Sequence, residues 1–148
     1  MGISLEEQDE EWFNSLPHVG GIYDLIYTAA SGSSRADRLR AVVALGKGGD
    51  PRAVRPLVDL LGDTDTEIRF AAITALGSLK SGRPVDELTE KLKDRSEEIA
   101  VRKQAAVALI AIRSTGALRS LREFVADEDE DPQLRTFAGN LLAEIGSL

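Results

Sequence analysis

Apolar positions recur along this chain in register. Leu45, Leu76, Leu109 and Leu142 lie 31, 33 and 33 residues apart. A second half-unit keeps the same step, through Val54, Val85 and Leu118, then Leu57, Leu88 and Leu121, then Leu61, Leu92 and Val125. Between these ladders the apolar residues follow a helical period, and nothing alternates with period two over a useful length, so helices and no strands are predicted. The pattern places A-type helices at about 35–46, 65–78, 97–112 and 132–145, and B-type helices at about 51–61, 84–93 and 117–126. One helix pair repeated at a fixed step cannot bury its apolar face alone, so copies must stack into an all-α solenoid of antiparallel pairs.

Polar residues keep the same register. Arg38, Arg69, Arg102 and Arg135 sit near the start of each A helix, and Asp63, Asp94 and Asp127 close each B helix. Arg and Asp are expected to meet between adjacent units, each Arg bridging a neighbour's carboxylate or helix-end carbonyls. Asp50, Ser81 and Ser114 occupy equivalent positions before the B helices, and all are N-cap residue types. Asp50-Pro51 and Asp131-Pro132 pair a capping acid with proline at the first helical position. Thr64-x-x-Glu67 reads as a capping box.

The ends are less regular. Ser4-x-x-Glu7 starts a short acidic helix carrying Trp12, Phe13 and Leu16, which Pro17 and Gly20-Gly21 end. Ile22, Leu25, Ile26 and Ala29 predict a further helix, in which Ile26 takes the place of Leu57. Residues 1–34 are therefore an acidic helix and a capping half-repeat, with Ser31–Ser34 as linker and the most mobile internal stretch. The repeats then occupy 35–63, 64–94 and 95–127, with a final helix in 128–148, all within one domain.

The segment Leu45-Gly46-Lys47-Gly48-Gly49-Asp50-Pro51-Arg52-Ala53-Val54-Arg55-Pro56-Leu57 closely resembles the HEAT-like repeat of phycobilisome-lyase type. Ile68-Arg69-Phe70-Ala71-Ala72-Ile73-Thr74-Ala75-Leu76-Gly77 resembles it too. The resemblance covers about residues 35–146 and implies a short right-handed superhelix whose B helices line the concave face. The tetratricopeptide Trp/Gly/Tyr and ankyrin Thr-Pro-Leu-His signatures are missing. The third unit departs from the pattern, with Ile110 where Gly46 and Gly77 stand, and its A helix is expected to run longer.

Charge narrows the function. The first 34 residues contain six acids and no base, whereas the remainder holds all 18 bases against 19 acids, so the net −7 is concentrated at the N-terminus. Nucleic acid demands a net basic surface, which the near-neutral repeats do not offer. No run of about 18 apolar residues predicts a membrane span, and the acidic start is unlike a secretory signal. With no cysteine, the chain fits a reducing compartment, and a cytoplasmic location is expected.

Catalytic chemistry has few candidates. The chain's one histidine, His18, lies in a loop, and no nucleophile-elbow pattern marks a serine. It cannot supply the repeated His-Glu pairs by which HEAT-like deoxyhypusine hydroxylases hold two irons. Gly46-Lys47-Gly48-Gly49 lacks the order of a phosphate loop and reads as a turn. We therefore expect no cofactor, no metal and no enzyme activity.

Removing core positions from the B helices leaves rows of charge. Arg55, Asp86 and Arg119 form a mixed row, and Asp59, Glu90 and Glu123 an acidic one. Arg52 and Arg83 line one rim, Arg122 extends the basic side, and Tyr23 and Tyr27 mark the N-terminal end as aromatic anchors. These residues are either the docking surface of a scaffold for a protein or peptide, or a solvated charged face. The lyase resemblance implies an alternative, an accessory subunit of an enzyme or a bilin-lyase-like protein. Self-association into a weak homodimer is a further reading beside a monomer. The acidic tract Asp127–Asp131 is expected to be an inter-repeat loop, with Asp131 capping the last helix.

Overall fold

The structure, a computed structural model, describes residues 21–146. The helix expected over 4–16, with Trp12, Phe13 and Leu16, and the loop bearing His18 lie outside the described residues. Helices follow one another from end to end: α1 (Ile22–Ser31), α2 (Arg35–Gly48), α3 (Val54–Asp59), α4 (Thr66–Leu79), α5 (Val85–Lys93), α6 (Ile99–Ile112), α7 (Thr115–Ala126) and α8 (Pro132–Gly146). Short 3₁₀ turns at Pro51–Ala53 and Leu60–Gly62 extend α3 in both directions. No strand occurs among the described residues.

Helices α2, α4, α6 and α8 stack in chain order as one layer, and α3, α5 and α7 lie against them as the other. The leucine ladder explains this arrangement. Leu45, Leu76 and Leu109 are buried between the layers, opposite Leu57, Leu88 and Leu121. Close approach within the A layer depends on absent side chains. A Cβ on Gly46 would lie 2.8 Å from Ala75 Cα, and one on Gly77 would lie 3.1 Å from Ala108 Cα. Ile110 replaces this glycine opposite α8, and both Ile110 and Leu141 are only partly buried there.

The core loosens at the C-terminal end. Leu118, Val125 and Leu142 are half-buried rather than buried, while Ala117 and Phe124, at the positions of the buried Ala53 and Leu60, stay enclosed. Helices α7 and α8 are the last of the described helices, and fewer described residues pack against them.

Cap chemistry holds at some helices and moves at others. Ser34 Oγ accepts from Asp37 N, Ser114 Oγ from Ala117 N, Asp50 Oδ1 from Arg52 N and Asp131 Oδ1 from Leu134 N. The expected Thr64 capping box is replaced by Asp65, whose Oδ1 accepts from Glu67 N. Ser81 does not cap α5: it accepts from Arg83 N in the preceding turn, and Pro84 takes the N-cap place. Gly46–Gly48 belongs to α2 rather than to a turn, because the stop comes at Gly49 in the left-handed region (φ 69°). Lys80 (φ 54°) and Arg113 (φ 57°) end α4 and α6 in the same way.

The third A helix is not longer. Helices α2, α4 and α6 each have 14 residues. The wider spacing of the later units lies in the B-to-A loops: residues 63–65 connect α3 to α4, whereas 94–98 and 127–131 make the next two connections.

Candidate functional site

The Arg ladder locks successive units together. Arg38 Nε donates to Ala29 O at 3.0 Å, Arg69 Nη1 to Asp63 O at 2.8 Å, Arg102 Nε to Leu92 O and Arg135 Nε to Val125 O, both at 2.9 Å. Each guanidinium thus satisfies a carbonyl at the end of the preceding B helix, where backbone acceptors lack intrahelical donors. Three of them also hold a carboxylate from the loop ahead: Arg38 holds Asp63, Arg69 holds Glu97 at 2.9 Å, and Arg102 holds Glu130 at 3.4 Å.

The Asp ladder meets this Arg ladder at one position, Asp63. Asp94 and Asp127 instead make Asx turns, accepting from Ser96 N at 2.9 Å and Asp129 N at 3.0 Å. Glu97 and Glu130 take over because the two longer loops reach back far enough to place a carboxylate on the Arg. Their spacing of 33 residues, three after each Asp, was a signal present in the sequence. Asp127–Asp131 is accordingly an inter-repeat loop. Its Glu130 is buried and its Asp131 caps α8.

Glu97 is the most heavily engaged acid. Burial alone would raise its carboxyl, but Arg69 at 2.9 Å and Lys91 at 2.9 Å, with the Glu98 N–H, hold it down at about 2. Asp65 is held at about 2 chiefly by its hydrogen bond from Arg35.

On the B helices and the turns leading into them, Arg52, Arg55, Asp59, Arg83, Asp86, Glu90, Arg119, Arg122 and Glu123 are all exposed, as are Tyr23 and Tyr27. Their engagement differs. Arg52 donates to Asp50 at 2.7 Å and lies 5.4 Å above the Tyr23 ring, so it braces the N-terminal turn. Arg55 leans between Asp59 (3.7 Å) and Glu87 (3.9 Å). No ion pair among the described residues engages Asp86, Glu90, Arg119 or Arg122. Tyr27 is 70% exposed, more than any other large apolar side chain described.

Helix α5 packs on α7, but α3 and α5 meet less closely, and a cleft of about 310 Å³ opens between them. Val58 of α3 with Leu61 and Gly62 of the turn after it line one side, and Glu87, Glu90 and Lys91 of α5 with Asp94 just beyond it line the other. Glu87 Oε2 is shielded from water with no hydrogen-bond partner among the described residues. Of these only Glu90 was expected as a binding residue from the sequence. The cleft forms where Gly62 leaves open space: a Cβ at that position would have nothing within 4 Å. Among the described residues no cluster of three or more His, Cys, Asp or Glu is arranged to hold a metal, and no helix is long and apolar enough to cross a membrane.

Stacked helix pairs, a glycine-alanine contact at each tight crossing and an Arg from every A helix are repeat features. A family model for HEAT repeats matches residues 23–100, more than half of the chain. The chain belongs to the HEAT repeat family. Among solved structures, the HEAT array resembles human deoxyhypusine hydroxylase in complex with glycerol, with a TM-score of 0.75 over 89% of this chain and 23% identity. It spans 46% of that chain, just under half, and the likeness is one of fold. No curated protein sequence matches this one.

Proposed function

We propose that this HEAT array is a non-catalytic interaction module that docks a protein or peptide on the concave face formed by α3, α5 and α7. One observation carries the reading: every charged residue expected on that face is exposed, while Leu57, Leu88, Leu92 and Leu121 of the same helices are buried. A rigid layer therefore presents Arg55, Asp86 and Arg119 in a row, with Glu90 and Glu123 beside it. Exposed charges of this kind are individually weak, but a row of alternating sign selects partners of complementary pattern and speeds their encounter. Tyr27 extends the face with an aromatic anchor.

The scarcity of catalytic groups in the sequence supports a role without chemistry, and the composition supports a cytoplasmic one. The Gly-Gly-Asp-Pro turn and the Ile-Arg-Phe-Ala-Ala helix support the finer assignment to the phycobilisome-lyase type of repeat. The test is affinity capture from a lysate, comparing wild type with a folded variant in which Arg55, Asp86 and Arg119 are reversed in charge. A partner retained by wild type and lost by the variant is expected. A partner kept by both, or none at all, would overturn the docking face.

A further inference from the structure

We infer that the cleft between α3 and α5 receives a lysine or arginine side chain of the docked protein segment. The inference rests on the docking reading and deepens it by naming the chemistry of the partner.

The cleft has an apolar floor and acidic walls. Val58 and Leu61 form an aliphatic surface, while Glu87, Glu90 and Asp94 place three carboxylates around it against one ammonium, Lys91. That ammonium is already committed, because Lys91 Nζ lies 2.9 Å from Glu97 Oε2. Asp94 is partly satisfied by Ser96, whose N–H and hydroxyl both donate to Oδ1. Glu90 has no ion-pair partner among the described residues, and Glu87, partly exposed, is held only loosely by Arg55 at 3.9 Å. An incoming cation would therefore meet one free carboxylate and one loosely held one, and a charge-assisted N–H bond to either is stronger than a neutral one. Long basic side chains suit such a surface, since their methylene stems cover apolar area while the head stays among polar groups.

The next groove along is built differently. Thirty-one residues on from Val58 and Gly62 stand Thr89 and Lys93, a hydroxyl and a cation. Thirty-three on from Glu87 stands Ser120. The repeat carries Leu61, Glu90 and Asp94 forward as Leu92, Glu123 and Asp127 but not Val58, Gly62 and Glu87, so their coincidence belongs to the groove between α3 and α5.

The test uses methyl- and amide-labelled full-length protein in an NMR titration. The probes are the Nα-acetyl N-methylamides of lysine, arginine and norleucine. Lysine and arginine probes should shift Val58, Leu61 and Gly62 with dissociation constants on the order of millimolar, and added salt should weaken them. Two variants separate charge from space. Glu87→Gln with Glu90→Gln removes the acids, and Gly62→Phe fills the cleft from a position with free room around it. Each should weaken the basic probes by about tenfold or more while leaving the urea midpoint close to wild type. Norleucine binding as well as lysine, no localised shift, or binding unaffected by Gly62→Phe would each overturn the inference.

The two readings fail separately. Saturable, variant-sensitive probe binding with no macromolecule captured would leave the cleft standing and the docking role overturned. A captured partner that is lost on reversing Arg55, Asp86 and Arg119 but survives Gly62→Phe would do the opposite.

Discussion

Glu97 shows how a single loop residue can tie three elements together. Its carboxylate joins Arg69 of α4 to Lys91 of α5 while lying just before α6, and its side chain is 3% exposed. Being held near 2 against an ordinary value of 4.5, it binds fewer protons folded than unfolded at acid pH. Its stabilisation is therefore nearly complete above about pH 5 and is lost as pH falls from about 4.5 towards 2, amounting to about 3 kcal/mol. Urea denaturation across that range should show wild type losing stability more steeply than Glu97→Gln, whose own level is already lowered at pH 7. Parallel curves for the two proteins would remove Glu97 from this role. The residue was legible in outline, since Glu97 and Glu130 recur at the repeat spacing. What hid them was the Asp ladder, whose closer match to the helix ends drew the ion pair to the wrong carboxylate.

At the level of helices, the A layer depends on where side chains are missing. A methyl on Gly46 would meet both the backbone and the side chain of Ala75 at 2.8 Å, which forces α2 and α4 apart. Alanine gains about 1 kcal/mol of helix propensity over glycine, while overpacking of this kind costs about 1–3 kcal/mol. Gly46→Ala should therefore be net destabilising by up to about 2 kcal/mol, and Gly77→Ala, with contacts beginning at 3.1 Å, should fall nearer to neutral. Paired chemical-denaturation curves decide it, and equal effects at the two sites would show that the crossings are not set by these contacts. Helix positions were readable from periodicity, but two cap assignments were not. Thr64 and Asp65 are both good capping residues one position apart, and only the loop length of 63–65 chooses between them. Pro84 displaces Ser81 from the start of α5 because proline is tolerated where no N–H is needed.

Across the molecule, contacts run between consecutive helices and between the matching helices of adjacent units. Stability in such an array is a sum of units and interfaces, and its terminal elements are the first to open. Hydrogen exchange should find the strongest protection in α4 and α6, which have A-layer neighbours on both sides, and weaker protection in α8, whose Leu141, Leu142 and Ile145 are only half-buried. Uniform protection from α2 to α8 would instead indicate one all-or-none unit. Placing the cleft at one groove out of a repeated set is also a property of the whole array, because it needs α3 and α5 to stand apart while α5 and α7 close.

Periodicity alone determined the helices, their stacking and the exposure of the charged rows, because burying a repeated apolar face leaves one arrangement open and pushes the charges between its positions outward. Tertiary structure decided what no single helix contains: that Arg69 and Arg102 take Glu97 and Glu130 rather than the ladder aspartates, that burial loosens at Leu118, Val125 and Leu142, and that Gly62 lines a cleft beside Glu87. Each of these depends on the distance between elements far apart in sequence, and loop lengths and packing set that distance rather than the repeat.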